Sequence, residues 1–308
     1  MIMTTAYIED KNLLAKCTDR RDFSPISTYI QANKKKFSFY AEEANCLYGF
    51  DCKRIDNLSK LYNTNMFAIN FFYDIDDGGS FDSQEIDVVS KMFVHLQREL
   101  DENRGYYILR VPSSNIHLLH HLKLINNKMI FAGNTICYYS KYMPEKLFAE
   151  DGLTIEVAKK SNLRDYREVI MNLSKESFDK HFTQYHISDF TKEKAPTIYS
   201  NWIKDFLDNE QKDDLIVARV DDNLVGFLAF EEKEESCEII LNCVDEKFRG
   251  KKVYERMLRH CVTSALNKNK FVTISTQLNN YFPQRAWVNC GFKPYHSFYL
   301  MHYNSINY

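Results

Sequence analysis

One stretch limits what this chain can fold into more than any other: Ser236 to Ala265, SCEIILNCVDEKFRGKKVYERMLRHCVTSA. Its first part, Cys237 to Val244, is a β-branched and apolar run of the length of one buried strand. Asp245 to Phe248 is charged and turn-like, and Arg249-Gly250-Lys251-Lys252 follows. Behind the basic turn, Val253, Met257, Leu258, Cys261, Val262 and Ala265 recur at helical spacing. A strand that feeds a basic, glycine-containing turn into a helix N-terminus is a ready anion site. The free backbone N–H groups and the positive helix end both point at whatever docks there. The alternative is an ordinary β-α turn with surface lysines.

Composition narrows the classes. At 308 residues the chain exceeds one typical domain, so two units of about 150 residues are expected, 1–150 and 151–308. A net charge of −2 speaks against a general nucleic-acid or membrane-surface binder. The N-terminus is charged by Glu9 and lacks the apolar centre of a signal peptide. No run approaches the roughly 20 apolar residues that a membrane helix needs. The eight cysteines show neither a Cys-x-x-Cys pair nor a zinc spacing, which points to a reduced, cytoplasmic protein with no metal.

Along the chain, Leu13 to Ala32 reads as a helix, and KFSFYAEE, LYGFDCKRI and MFAINFFYDI read as strands. The loop Asp74 to Ser80 lacks the ligand spacing of a calcium-binding loop and reads as a solvated turn. A helix from Gln84 to Glu102, a strand from Tyr106 to Val111, a helix near Ile116 to Ile125 and a strand pair through Tyr142 complete the first half. The second half reads strand, two helices (Leu163 to Leu173 and Thr191 to Leu207), hairpin, the strand and helix above, strand, short helix, strand. Two segments, from Tyr106 and from Lys270, share the order strand, Asn, short helix, turn, strand. Asn115 would pair with Asn280 and Asn126 with Gly291. That any two α/β segments would align as well stays open.

The strand, Arg-Gly-Lys turn and helix resemble the acetyl-CoA motif of the GNAT acetyltransferases, Arg/Gln-x-x-Gly-x-Gly/Ala. Arg249 fits the first position, whereas Lys252 and Tyr254 stand where that family has small residues. The resemblance implies a GNAT fold: a mixed, mostly antiparallel sheet flanked by helices, with a degenerate GNAT-like N-terminal half that shapes the site without holding CoA. It implies acetyl-CoA as acyl donor. Main-chain atoms of Asn242, Cys243 and Val244 would lie along the pantetheine arm. The amides of Arg249, Gly250, Lys251, Lys252, Val253 and Tyr254 would hold the pyrophosphate. NYFPQRAWVNCGF resembles a second family feature, in which Asn280 contacts CoA, and Trp287 stands in place of a Tyr that often protonates the leaving thiolate. An indole N–H cannot serve as that acid, which leaves Tyr281, Tyr295, Tyr299 or solvent.

Acyl transfer to an amine needs a neutral amine, a polarised thioester carbonyl and a route for protons. Glu238, on a strand otherwise apolar, resembles the general-base Glu of the histone-acetylating GNAT branch; as an alternative it is a surface Glu beside Glu234 and Glu235. HFTQYHISDF followed by YSNW resembles a segment of two-domain GNATs that acetylate amino sugars on nucleotide carriers, the dTDP-fucosamine acetyltransferase type. By that resemblance His181, Tyr185, His186 and Asp189 line the acceptor pocket; the alternatives are a helix cap, a core ring and a loop surface. The expected partner is a small-molecule amine, with a nucleotide sugar foremost, and a homodimer is left open. A protein-amine acceptor and a non-catalytic GNAT-fold binding module are the rivals.

Overall fold

In the computed structural model the described residues are 38–43, 46–75, 83–113, 116–125, 128–142, 152–158, 165–178, 182–208 and 215–306. The expected helix Leu13 to Ala32, Asn45, residues 76–80 of the acidic loop, Asn115, Asn126 and His181 lie outside them. The rest is mixed α/β and divides into two compact units. Unit 1 takes residues up to 135 with 184–191 and 296–308; unit 2 takes 136–183 and 192–295.

Unit 1 opens with three antiparallel strands, β1 (Phe39–Glu43), β2 (Cys46–Arg54) and β3 (Met66–Ile75). Between β2 and β3 lies α1 (Asp56–Tyr62), a helix that the sequence reading passes over. It is 7 residues long and its N-cap, Ile55, offers no side-chain bond, so neither periodicity nor a capping residue announces it. α2 (Ser83–Glu102) then crosses to β4 (Tyr106–Pro112), which pairs parallel with β3. α3 (Ile116–Ile125) leads into β5 (Ile130–Ser140), one long strand where the sequence suggests a pair. The chain's last strand, β11 (Lys293–Asn304), returns antiparallel to β4 from Phe298 to Asn304. Alternation then sorts the faces. Phe50, Ile69, Phe71, Tyr107, Leu109, Val111 and Met301 pack with Met92, Leu96 and Leu100 of α2 and Leu118 and Leu122 of α3.

On the opposite face Tyr106 and His302 are fully buried and meet a half-buried Gln184. Tyr106 Oη lies 2.9 Å from His302 Nδ1, and His302 Nε2 lies 3.3 Å from Gln184 Oε1. Because the amide oxygen only accepts, Nε2 carries the proton and Tyr106 donates to Nδ1. Burial drives the His302 pKa down to about 3, so the ring stays neutral.

In unit 2, β6 (Leu153–Ala158), β7 (Leu215–Val220), β8 (Asn223–Glu232) and β9 (Ser236–Val244) form an antiparallel series. α4 (Arg167–Phe178) and α5 (Ala195–Asp208) separate β6 from β7; residues 191–194, read as helix from sequence, form turns instead. After β9 come α6 (Val253–Leu266), β10 (Phe271–Gln277) parallel to β9, and α7 (Tyr281–Asn289). All six residues read as the apolar stripe of α6 are buried. The segments that start at Tyr106 and at Lys270 thus share the order strand, helix, strand.

Candidate functional site

The site begins with a defect in β9. The β8–β9 ladder pairs Ala229 with Leu241 but Phe230 with Ile239, so Ile240 is an extra residue in β9. A bulge of this kind flips every later side chain to the other face. Cys237 and Ile239 accordingly pack with α6, whereas Leu241 and Cys243, of the same parity, pack with α4 and α5. Glu238 and Val244, which strict alternation would put on one face, are set on opposite faces.

A second departure follows directly. The parallel ladder between β9 and β10 runs from Ser236↔Phe271 to Ile239↔Ile274 and ends there, although β9 continues to Val244 and β10 to Gln277. In an interior strand alternate N–H and C=O groups point to opposite sides. Half of those on Ile240–Val244 therefore face a gap rather than β10. The gap can accept an extended chain that carries amides of its own.

Below the gap the chain turns into α6. Asp245 Oδ1 accepts from Lys247 N–H at 2.9 Å and closes a short 3-10 turn, Glu246–Phe248. The Arg249 amide is spent within this turn, donating to the Glu246 carbonyl at 3.2 Å. Among the described residues no backbone acceptor meets the amides of residues 250–255. Lys252 is the N-cap of α6 and makes no side-chain bond to it. The helix therefore presents its orphan donors and positive end with two lysines alongside. Gly250 (φ +76°) and Lys252 (φ +55°) are both left-handed, the conformation that favours Gly. Lys252 holds it at a backbone cost of about 1 kcal/mol. Arg249 folds back, its Nε donating to the Val244 carbonyl at 3.3 Å and its Nη2 to Ser177 Oγ at 3.4 Å.

Tyr254 turns away from this cradle. Its Oη accepts the Trp287 indole N–H at 2.7 Å, and burial raises its pKa above the usual phenol range. Trp287, 1% exposed, also takes the edge of the Tyr138 ring at 5.2 Å between centroids. Asn280 precedes α7 without capping it; its Nδ2 donates to Thr276 Oγ1 at 3.0 Å.

Glu238 is not a lone carboxylate on an apolar strand. Lys233 Nζ donates to its Oε2 at 3.1 Å across the β8–β9 hairpin. Cys243 donates to the Leu173 carbonyl and meets Ser177 Oγ at 2.8 Å; burial pushes its thiol up to about 11. Of the residues read as acceptor-binding, Tyr185, His186 and Asp189 fall in unit 1: Tyr185 is buried with its ring 6.4 Å from that of His302, His186 is half-buried and Asp189 exposed, while His181 lies outside the described residues. Sequence reasoning missed Lys233, Ser177 and Gln284. Ser177 and Gln284 act through contacts remote in sequence or through backbone carbonyls, and Lys233 acts through the register of the β8–β9 hairpin; none of these leaves a motif.

Residues 171–292 match the acetyltransferase (GNAT) family. The chain is 24% identical over 208 residues to the spore coat polysaccharide biosynthesis protein SpsD of Bacillus subtilis (strain 168), covering 67% of this chain and 68% of that protein. A GCN5-related N-acetyltransferase from Sphaerobacter thermophilus aligns with a TM-score of 0.52 at 12% identity, over 85% of this chain and 77% of that one. At such identity the likeness speaks for the fold alone. Together with the gap and the open helix N-terminus, the family match makes residues 171–292 a GNAT acetyltransferase domain and the protein an acyltransferase.

Proposed function

We propose that the protein transfers an acetyl group from acetyl-CoA to the primary amine of an amino sugar, carried on a nucleotide. The observation that supports this most is the β9–β10 gap opening above an uncapped, lysine-flanked helix N-terminus. The residues present fit the donor: amides 250–255 with Lys251 and Lys252 suit a pyrophosphate, and the free strand edge suits the amides of a pantetheine arm. The sugar part of the reading rests on the name of the Bacillus subtilis relative, which ties that protein to polysaccharide biosynthesis. It rests also on the His181, Tyr185, His186 and Asp189 resemblance.

Acetyl-CoA supplies an activated acyl carbon and a good leaving group. The chain's part is to bind, polarise and move protons. The bulge leaves Ile240 outside the regular ladder, and an N–H there is the donor available to polarise the thioester carbonyl. The amine nitrogen attacks that carbon as the C–S bond breaks. The amine's proton passes to Glu238, or to a water that Glu238 holds, and the thiolate takes a proton from solvent or from a phenol. Transfer is direct. The described cysteines beside the site, Cys243 and Cys290, are pushed up to about 11 and about 12, so no thiolate is ready to carry an acyl group. Residues 1–150 are read as a degenerate relative of the same fold, without an Arg-Gly-Lys turn.

The first test is calorimetric titration with acetyl-CoA, in parallel with desulfo-CoA, followed by thiol-release assays on nucleotide-linked amino sugars and on their unlinked forms. Micromolar binding with turnover of the linked amine is expected. No heat at millimolar acetyl-CoA would remove the donor reading. Binding with turnover of peptide amines alone would replace the acceptor.

A further inference from the structure

A gap between two strands of one sheet does not stay open unaided. Two strand edges that face one another gain by pairing their N–H and C=O groups. The bulge at Ile240 interrupts the register of the β9 edge, and something must also hold β10 and the loop beyond it. That loop is tied to α7 by the side chain of Gln284, which is buried at the fourth position of the helix. Its Nε2 donates to the carbonyls of Leu278 and Asn280, both at 2.9 Å, and reaches that of Gln277 at 3.4 Å. Its Oε1 accepts from Tyr138 Oη at 3.3 Å, which fixes the orientation of the amide.

The polarity of these bonds is informative. A Gln near a helix start ordinarily reaches back as an acceptor for the N-cap amide. Gln284 does the reverse and gives its protons to carbonyls of the incoming chain. It does not cap α7; it fastens residues 277–280 to that helix.

We propose that Gln284 is a positioning residue for the acyl donor: by anchoring the end of β10 to α7 it keeps the β9–β10 slot open. The inference rests on reading that gap as the donor slot. Gln284 acts on the donor only through the carbonyls it holds. Without the anchor, the last residues of β10 can close on Ile240–Val244, and the open form becomes a minor population.

Gln284→Met keeps the side-chain length and removes both the amide oxygen and the amide nitrogen. If the open form falls to about a tenth, the acetyl-CoA Kd rises about tenfold in calorimetry, while turnover at saturating donor changes less than Kd. Amide hydrogen exchange without ligand gives the second readout. Closure should slow exchange at residues 240–244, whereas simple loosening of the unit would speed it. An unchanged Kd in the folded variant, or faster exchange at 240–244, overturns the proposal. Should Gln284→Met not fold, Tyr138→Phe deletes only the bond to Oε1; a Kd raised about threefold supports the proposal and an unchanged one overturns it. Failure of the wild-type protein to bind acetyl-CoA would sink the slot reading. Slower exchange in Gln284→Met would even then show the anchor at work.

Discussion

In unit 1 the parallel ladder between β3 and β4 ends at Asn70↔Arg110, and a 3.2 Å bond from Arg110 Nη1 to Asn70 Oδ1 lies across that last pair. In unit 2 the ladder between β9 and β10 ends at Ile239↔Ile274, two buried apolar residues, with the bulge immediately after. Both units run an antiparallel series into a helix and then a parallel strand. The ladder that feeds each helix differs: β2–β3 keeps one register over nine pairs, from Cys46↔Ile75 to Arg54↔Phe67, whereas β8–β9 slips by one residue. The lesson is local. Both ladders stop five residues before the end of the strand that leads them, β3 running on to Ile75 and β9 to Val244; what the inserted residue adds in unit 2 is a change of face within that overhang.

The pair before the last sharpens the contrast. It is Ile69↔Leu109 in unit 1 and Glu238↔Thr273 in unit 2. If the carboxylate is there for proton transfer, Glu238→Gln should lower the rate at pH 7 by about 100-fold with the acetyl-CoA Kd unchanged. A pH–rate profile identical to that of the wild type would return Glu238 to the role of an ion-pair partner for Lys233.

Acid should separate the units differently. His302 of unit 1 is held neutral, its pKa shifted from 6.5 to about 3 by burial. The unfolded chain binds a proton at that ring below about pH 6.5 and the folded one does not until near pH 3. Stability therefore falls as pH drops through that window, by about 2 kcal/mol between pH 7 and pH 5. Buried His296, its pKa lowered to about 4, adds a similar slope, so His302→Gln should remove about half of the fall when unfolding is followed by denaturant titration at both pH values; an unaltered slope would show that the His302 ring is not a group responsible.

The smallest effect probes the turn itself. A Cβ on Gly250 meets nothing within 4 Å, so Gly250→Ala tests its left-handed backbone alone. A loss of about 1 kcal/mol in unfolding free energy is expected. No loss would mean that the turn reaches α6 by another backbone path. It would also weaken the case that positions 250 and 252 present the amides.

Much of unit 2 could be read directly. The helical spacing of Val253, Met257, Leu258, Cys261, Val262 and Ala265 required one buried face, and α6 buries all six. The basic turn pointed to an uncapped helix start because Lys252 has no oxygen with which to cap one. What escaped was whatever depends on counting through an irregularity. Period-two reading puts Cys237 and Cys243 on one face of β9, and the bulge sends them to different cores. The Lys233–Glu238 pair depends on the hairpin's register. Tyr254 and Trp287, 33 residues apart, each look like a misfit in the motif; folded, they answer one another as acceptor and donor.

The order of amino acids by itself determined the alternation of strands and helices in unit 2, the faces of α6 and the character of the basic turn. Each of these follows from near neighbours along the chain: side-chain branching, spacing and the orphan amides of a helix start. Only the tertiary structure decided where β9 slips, where its ladder with β10 stops, and that Gln284 fastens the far wall. Those depend on which backbone groups find partners across strands, and hydrogen bonds between distant segments carry no signature in local sequence.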